Sequence, residues 1–134
     1  MLILYDQYDK PMTKIAIIED DPTIHQMYRM KFEAEGFEVE LANNGKRGVA
    51  LVETFQPDII LLDMQMPEMD GPTALAEIRK QDWGKKIPVI ILTNMGEEES
   101  PKALKSLGIH SYIVKADFTP SQVVTRVKDA LASL

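Results

Sequence analysis

Asp63 follows four aliphatic residues, Ile59-Ile60-Leu61-Leu62. A short continuous apolar run fits a strand buried on both faces of a sheet. A carboxylate directly after it stands at the strand's carboxyl end, where open α/β sheets bind their ligands. Three more apolar runs end in a side chain with site chemistry. Residues 14–18 (KIAII) run into Glu19, Asp20 and Asp21, residues 88–92 (PVIIL) into Thr93, and residues 112–114 (YIV) into Lys115. In a parallel sheet these ends share one edge, and the side chains converge. Three carboxylates brought together repel, so the site needs a cation or must hold a proton. Oxygen ligands without His or Cys favour a hard ion, and Mg²⁺ is the usual one where phosphates are handled. Lys115 adds a positive charge, and the Thr93 hydroxyl can donate to an arriving oxygen. The set reads as a phosphoryl site. Metal and lysine neutralise the equatorial oxygens, the hydroxyl orients one, and a carboxylate attacks.

Each of these residues has a plainer reading when taken alone. Asp63 could start a turn. Asp21 before Pro22 suits a helix N-cap. Thr93 is a good β-former, and Lys115 could be an ordinary solvated lysine. Those readings fail jointly, because each must put a suitable group on the same edge by coincidence. His25 and His110 have no metal-like spacing and are expected at the surface. Met64, Met66 and Met69 read as loop packing.

The elements that must position these groups follow in order. Residues 1–11 show no clean period and read as an irregular N-terminal extension, with Met12 opening a single domain over residues 12–134. After the first strand, Ile24, Met27 and Tyr28 mark a helix that stops near Gly36. Residues 37–41 (FEVEL) alternate as an edge-like strand. Asn43-Asn44-Gly45 reads as a turn. Leu51, Val52 and Phe55 mark the next helix, which Pro57 closes. Leu75 and Ile78 mark the helix after Pro72, and Trp83 and Gly84 end it. Ser100-Pro101 reads as N-cap and first residue of a late-starting fourth helix that ends at Gly108. The segment 94–100 before it reads as a long acidic loop above the cleft. Thr119-Pro120-Ser121-Gln122 is a capping box. Val123, Val124, Val127, Ala130, Leu131 and Leu134 form the apolar face of the last helix.

Strand and helix thus alternate five times, which implies a parallel sheet covered on both faces. The two strands that are most apolar and end in acids, the first and third, should be central neighbours. That matches a doubly wound α/β sheet of order 2-1-3-4-5. The pattern ends at the last helix and leaves no room for a second domain.

The composition sets limits. A chain of 134 residues fits one domain, and 45% hydrophobic content supports a real core. The net charge of −6 gives no basic footprint for direct nucleic-acid binding. No apolar run is long enough to cross a membrane, and no secretory signal opens the chain. The absence of cysteine excludes disulfides and fits a cytoplasmic protein.

The segments IIEDD, LLDMQMPEMDG, PVIILT and YIVK, in this order and spacing, resemble the receiver domain of two-component response regulators. The resemblance covers residues 12–134 and is chemotaxis-regulator-like. It implies the flavodoxin-like (βα)5 fold and a place in a phosphorelay. It implies that Asp63 accepts a phosphoryl group from a sensor histidine kinase or phosphotransfer protein. Glu19, Asp20 and Asp63, with the backbone carbonyl of Gln65, would hold Mg²⁺, or Mn²⁺ in its place. Thr93 would be the switch hydroxyl, Lys115 the phosphate-contacting lysine and Tyr112 the rotating aromatic. Such a domain is a phosphoacceptor, catalysing only its own phosphotransfer and slow dephosphorylation. It is a monomer or a phosphorylation-dependent dimer, and a protein partner reads it through the fourth helix, fifth strand and fifth helix.

Two positions depart from the family pattern. Asn94 stands where a small residue is usual, which narrows access to the phosphoryl group. Ala116 replaces the proline usual after the lysine. A cis bond before a non-proline costs about 3–4 kcal/mol, so the Lys115–Ala116 bond is expected to be trans. Two other readings, an enzyme and a flavin-binding domain, are weaker. An aspartyl-phosphate phosphohydrolase lacks its second acid, since Gln65 stands two residues after Asp63. A flavin mononucleotide domain needs a phosphate-cradling loop where this chain has EDDP.

Overall fold

A computed structural model describes residues 12–134, and the expectation for residues 1–11 lies outside the described residues. Ten main elements alternate: β1 (Lys14–Ile18), α1 (Pro22–Ala34), β2 (Glu38–Ala42), α2 (Gly45–Phe55), β3 (Ile59–Leu62), α3 (Gly71–Lys80), β4 (Val89–Thr93), α4 (Ala103–Ser106), β5 (Ser111–Val114) and α5 (Pro120–Ala132). The sheet is parallel in the order β2-β1-β3-β4-β5. This is the doubly wound order expected from the apolar pattern. Every residue of β3 and β4 is buried, because helices cover both faces.

Alternate strand residues feed two cores. Ile15, Ile17, Ile59 and Leu61 pack with Tyr28 and Phe32 of α1 and with Val123 and Val127 of α5. Ile18, Ile60, Leu62 and Ile91 pack with Val52 of α2, Leu75 and Ile78 of α3 and Leu104 of α4. Phe32 is fully buried and meets Phe37 edge-on at 5.2 Å between ring centroids. Truncating such a ring costs about 3–5 kcal/mol.

Local signals set the helix starts. Asp21 caps α1 by accepting from the Thr23 and Ile24 N–H groups, with Pro22 in the first turn. Thr119 and Gln122 close the expected capping box on α5. Gly36 and Gly108 stand at φ +87° and +75°, the left-handed conformation that ends a helix.

Several expectations are corrected. Gly45 is the first residue of α2, not a turn residue, because the Asn44 side chain caps the helix at the Arg47 N–H. Likewise Asp70 caps α3, which starts at Gly71 rather than after Pro72. Ser100 does not cap α4. Its hydroxyl donates to the Glu97 carbonyl at 2.6 Å, closing a 3₁₀ turn over Glu97–Glu99, and α4 starts at Ala103. The loop above the cleft is therefore not irregular throughout. Met27 is 37% exposed, and Phe32 takes the core position below Tyr28. Leu134 lies beyond α5 and is 74% exposed, so it is not part of the apolar face. His25 is half-buried against the Ala42 carbonyl at 3.1 Å, and burial lowers its pKa, whereas His110 is at the surface as expected.

Arg79 of α3 carries weight that periodicity does not reveal. Its guanidinium donates to the carbonyls of Leu107 at 2.7 Å, Gly84 and Ile87 at 2.8 Å, and Gly108 at 3.1 Å. It thereby ties α3 to the entry of β4 and to the end of α4. No helix among the described residues is long and apolar enough to cross a membrane.

Candidate phosphoryl site

The site lies at the carboxyl edge of the sheet. The Asp63 N–H donates to the Ile18 carbonyl at 3.0 Å, and the Glu19 N–H to the Ala42 carbonyl at 3.0 Å. Each carboxylate therefore leaves its strand just where the ladder ends. The Asp63 side chain accepts from the Met64 N–H at 2.7 Å, and Glu19 from the Asp20 N–H at 3.0 Å. Gly71 closes the turn from behind. Its N–H donates to the Met64 carbonyl at 3.0 Å, and a Cβ there would stand 2.1 Å from the Asp63 carbonyl oxygen. In the sequence Gly71, with Pro67 and Pro72, only breaks the pattern after Asp63. Its place directly after a helix-capping Asp was the available signal for this second duty.

Carboxylate oxygens of Glu19, Asp20 and Asp63 lie within 4.8 Å of one another. Glu19 and Asp63 are buried, and Asp20 is exposed. An all-oxygen set of this kind fits a hard divalent cation such as Mg²⁺. Lys115 completes the cluster, contacting Glu19 directly and standing 3.5 Å from Asp63 Oδ2. No cis peptide occurs among the described residues, so the Lys115–Ala116 bond is trans, and a 3₁₀ turn follows over Lys115–Asp117. Lys115 reaches the cluster even without the usual proline after it.

The charges are unequal in effect. Burial pushes the Glu19 carboxyl up to about 8, with help from Asp63 and against the pull of Lys115. Burial also acts to raise Asp63. The Glu19 carboxyl, the Thr93 hydroxyl, the Lys115 charge and the Met64 N–H outweigh it and hold Asp63 below its ordinary value. The two carboxyls are thus pushed in opposite directions, Glu19 up by burial and Asp63 down by its hydrogen bonds and Lys115.

A cleft of about 390 Å³ opens above the cluster, lined by Glu19, Asp20, Asp63, Gln65, Thr93, Asn94 and Lys115 among others. Six residues singled out from sequence therefore line one cleft, and Asn94, the unusual neighbour of Thr93, stands at its wall. Tyr112 does not join them. Its hydroxyl donates to the Met95 carbonyl at 2.9 Å, two residues along the loop that leaves Thr93.

The family model of the response regulator receiver domain matches residues 15–128. The chain belongs to this family. Among its relatives, the transcriptional regulatory protein ResD of Bacillus subtilis is 38% identical over 119 residues, which are 89% of this chain and 48% of that protein. This chain thus spans about half the length of that curated relative. The chemotaxis response regulator CheY4 of Vibrio cholerae superposes with a TM-score of 0.82 at 28% identity, covering 90% of this chain and 99% of that one. The receiver domain of the sensor histidine kinase PA1611 of Pseudomonas aeruginosa, solved with a magnesium ion in its active-site cleft, superposes with a TM-score of 0.81 at 25% identity, covering 91% of this chain and 99% of that one. The doubly wound sheet is accordingly the CheY-like, flavodoxin-like receiver fold. The receiver domain carries its acidic cluster at the same strand ends that its sequence pointed to.

Proposed function

We propose that Asp63 accepts a phosphoryl group from a phosphohistidine on a sensor kinase or phosphotransfer protein. One observation carries this reading. Asp63 is a carboxylate of a buried cluster that also holds a lysine ammonium and opens onto a cleft, and its contacts hold it below its ordinary pKa. A carboxylate oxygen of Asp63 forms the new P–O bond as the donor's P–N bond breaks, and the electron pair stays on the imidazole. Lys115 neutralises charge on the phosphoryl oxygens, and the Thr93 hydroxyl donates to one of them. Glu19, Asp20, Asp63 and the backbone carbonyl of Gln65 would hold Mg²⁺, or Mn²⁺ as a second ion of similar hardness, which neutralises the carboxylates and the incoming phosphate. The same groups support slow hydrolysis of the aspartyl phosphate.

The reading includes an output. Phosphorylation draws Thr93 inward and shifts the loop after β4, so Tyr112 turns and the face of α4, β5 and α5 changes. A downstream protein in the cytoplasm reads that face, with the domain a monomer or a phosphorylation-dependent dimer. The test is intact-mass analysis after incubation with Mg²⁺ and acetyl phosphate. One added phosphoryl group, lost on chelation of the metal and lost in Asp63→Ala, is expected. Uptake that persists in Asp63→Ala would overturn the assignment.

A further inference from the structure

The loop between Asp63 and Gly71 carries the Gln65 carbonyl, and one residue of a different element holds it. The Met69 N–H donates back to the Pro67 carbonyl at 2.7 Å, and Glu68 between them stands at φ +65°. That is a tight three-residue turn around a non-glycine residue in the left-handed region, a conformation kept only when its surroundings enforce it. Against the turn, at Met69, stands Gly45, the first residue of α2. Its N–H donates to the Met69 carbonyl at 3.0 Å. It is buried, and a Cβ built on it would stand 2.1 Å from the Met69 carbonyl oxygen and 2.8 Å from the Met69 carbonyl carbon. Both are backbone atoms, so no side-chain rotation could relieve the contact.

We infer that Gly45 is a positioning residue for the cation site, acting from α2 through Met69 on the loop that presents the Gln65 carbonyl. This rests on the reading of Gln65 as a ligand. The ends of the loop are held by the Asp63 N–H on the Ile18 carbonyl, directly after β3, and by the Gly71 N–H on the Met64 carbonyl. The stretch between them is braced at Met69, four residues beyond Gln65. A carbonyl ligand, unlike a carboxylate, has no rotamers of its own. Its aim is the aim of the backbone, so displacing Met69 must re-aim Gln65. Groups that orient ligands from outside the coordination sphere are worth roughly 10–100-fold in metal affinity.

The test compares Mg²⁺ titrations of the parent with Gly45→Ala, Gly48→Ala and Glu68→Pro, followed by amide chemical shifts and by melting temperature, with Mg²⁺ as the only ligand. Gly48 is the control, because the atoms nearest its Cβ would be Ile18 side-chain atoms in the core, from 2.7 Å, and not backbone. Gly45→Ala and Gly48→Ala are both expected to melt lower. Only Gly45→Ala should shift the Mg²⁺ midpoint, by about tenfold or more, while the plateau rate of phosphoryl uptake at saturating Mg²⁺ stays near the parent's. Glu68→Pro breaks the turn without touching α2, since proline is fixed near φ −65° and cannot adopt +65°. Glu68 is exposed, so the fold is kept, and Mg²⁺ is expected to weaken in the same direction, so the inference stands or falls even if Gly45→Ala does not fold. Equal midpoints in the parent and Glu68→Pro, or equal shifts in Gly45→Ala and Gly48→Ala, would overturn it. A parent that binds no Mg²⁺ overturns the metal reading itself, and this inference with it.

Discussion

The Lys115 ammonium stands 3.5 Å from Asp63 Oδ2, with only 11% and 9% of the two side chains exposed. Lysine and aspartate directly follow β5 and β3, with β4 between those strands. Lys115 is therefore a fixed charge aimed at the place where phosphoryl oxygens would arrive. Replacing it with methionine is expected to slow phosphoryl uptake by roughly 10²–10³-fold, the usual cost of losing one preorganised electrostatic partner. Mg²⁺ should still bind, because the oxygen ligands remain. Stopped-flow uptake from acetyl phosphate measures the rate, and a change under threefold would remove Lys115 from the chemistry.

Asp63→Ala is expected to abolish uptake and leave the fold intact. The substitution removes one member of a repelling carboxylate cluster rather than a core contact. Circular dichroism and intact mass read the two halves of this prediction. A variant that unfolds, or one that still gains phosphate on a carboxylate, contradicts it.

The pH dependence of the metal-free protein follows from Glu19. Its carboxyl titrates near 8 in the fold against an ordinary 4.5, so the fold prefers the protonated form. Its contribution to stability is complete below pH 4.5 and is lost as pH rises towards 8. Asp63 is shifted the other way, and its contribution is lost only in acid, as pH falls below its ordinary 3.8. The melting temperature without metal should therefore fall between about pH 5 and about pH 8. Millimolar Mg²⁺ should flatten that slope by stabilising the ionised site, and binding should release a proton. Glu19→Gln is the check, since it must remove the slope.

The segment 94–100 is expected to exchange amide hydrogens fastest among residues 12–134. Glu97, Glu98 and Glu99 are exposed, and the 3₁₀ turn they form has no side-chain cap at its start. Few buried contacts mean low local stability. Hydrogen exchange read by mass spectrometry decides this, and protection equal to that of β3 or β4 would contradict it.

Treatment with beryllofluoride, a phosphoryl mimic, is expected to shift amides in α4 and at Tyr112 as well as around Asp63. The Tyr112 hydroxyl is bonded to the Met95 carbonyl, two residues beyond Thr93. Movement of Thr93 must therefore strain or break that bond. Shifts confined to the Asp63 pocket would show that the proposed output face is wrong.

The order of the elements and the edge on which chemistry gathers were legible without coordinates. Unbroken apolar runs such as Ile59–Leu62 belong to strands covered on both faces, and parallel strands put all their carboxyl ends on one edge. Glu19, Asp63, Thr93 and Lys115 had to meet there, because backbone geometry leaves no other place for them. The Asp21 cap and the Thr119 capping box were readable for the same reason, being local hydrogen bonds between near neighbours. The tertiary structure alone decided the rest. Ser100 has the sequence of a helix cap but serves the Glu97 turn. Met27 has helical spacing but loses the core position to Phe32. Glu19 and Asp63 are both carboxylates at strand ends, yet different burial and contacts push their proton affinities apart. The tie that Arg79 makes to Leu107 and the close approach of Gly45 to Met69 do not show in sequence, because these partners are distant along the chain. Which carbonyl a guanidinium meets, and which backbone leaves no room for a Cβ, depends on how two elements pack.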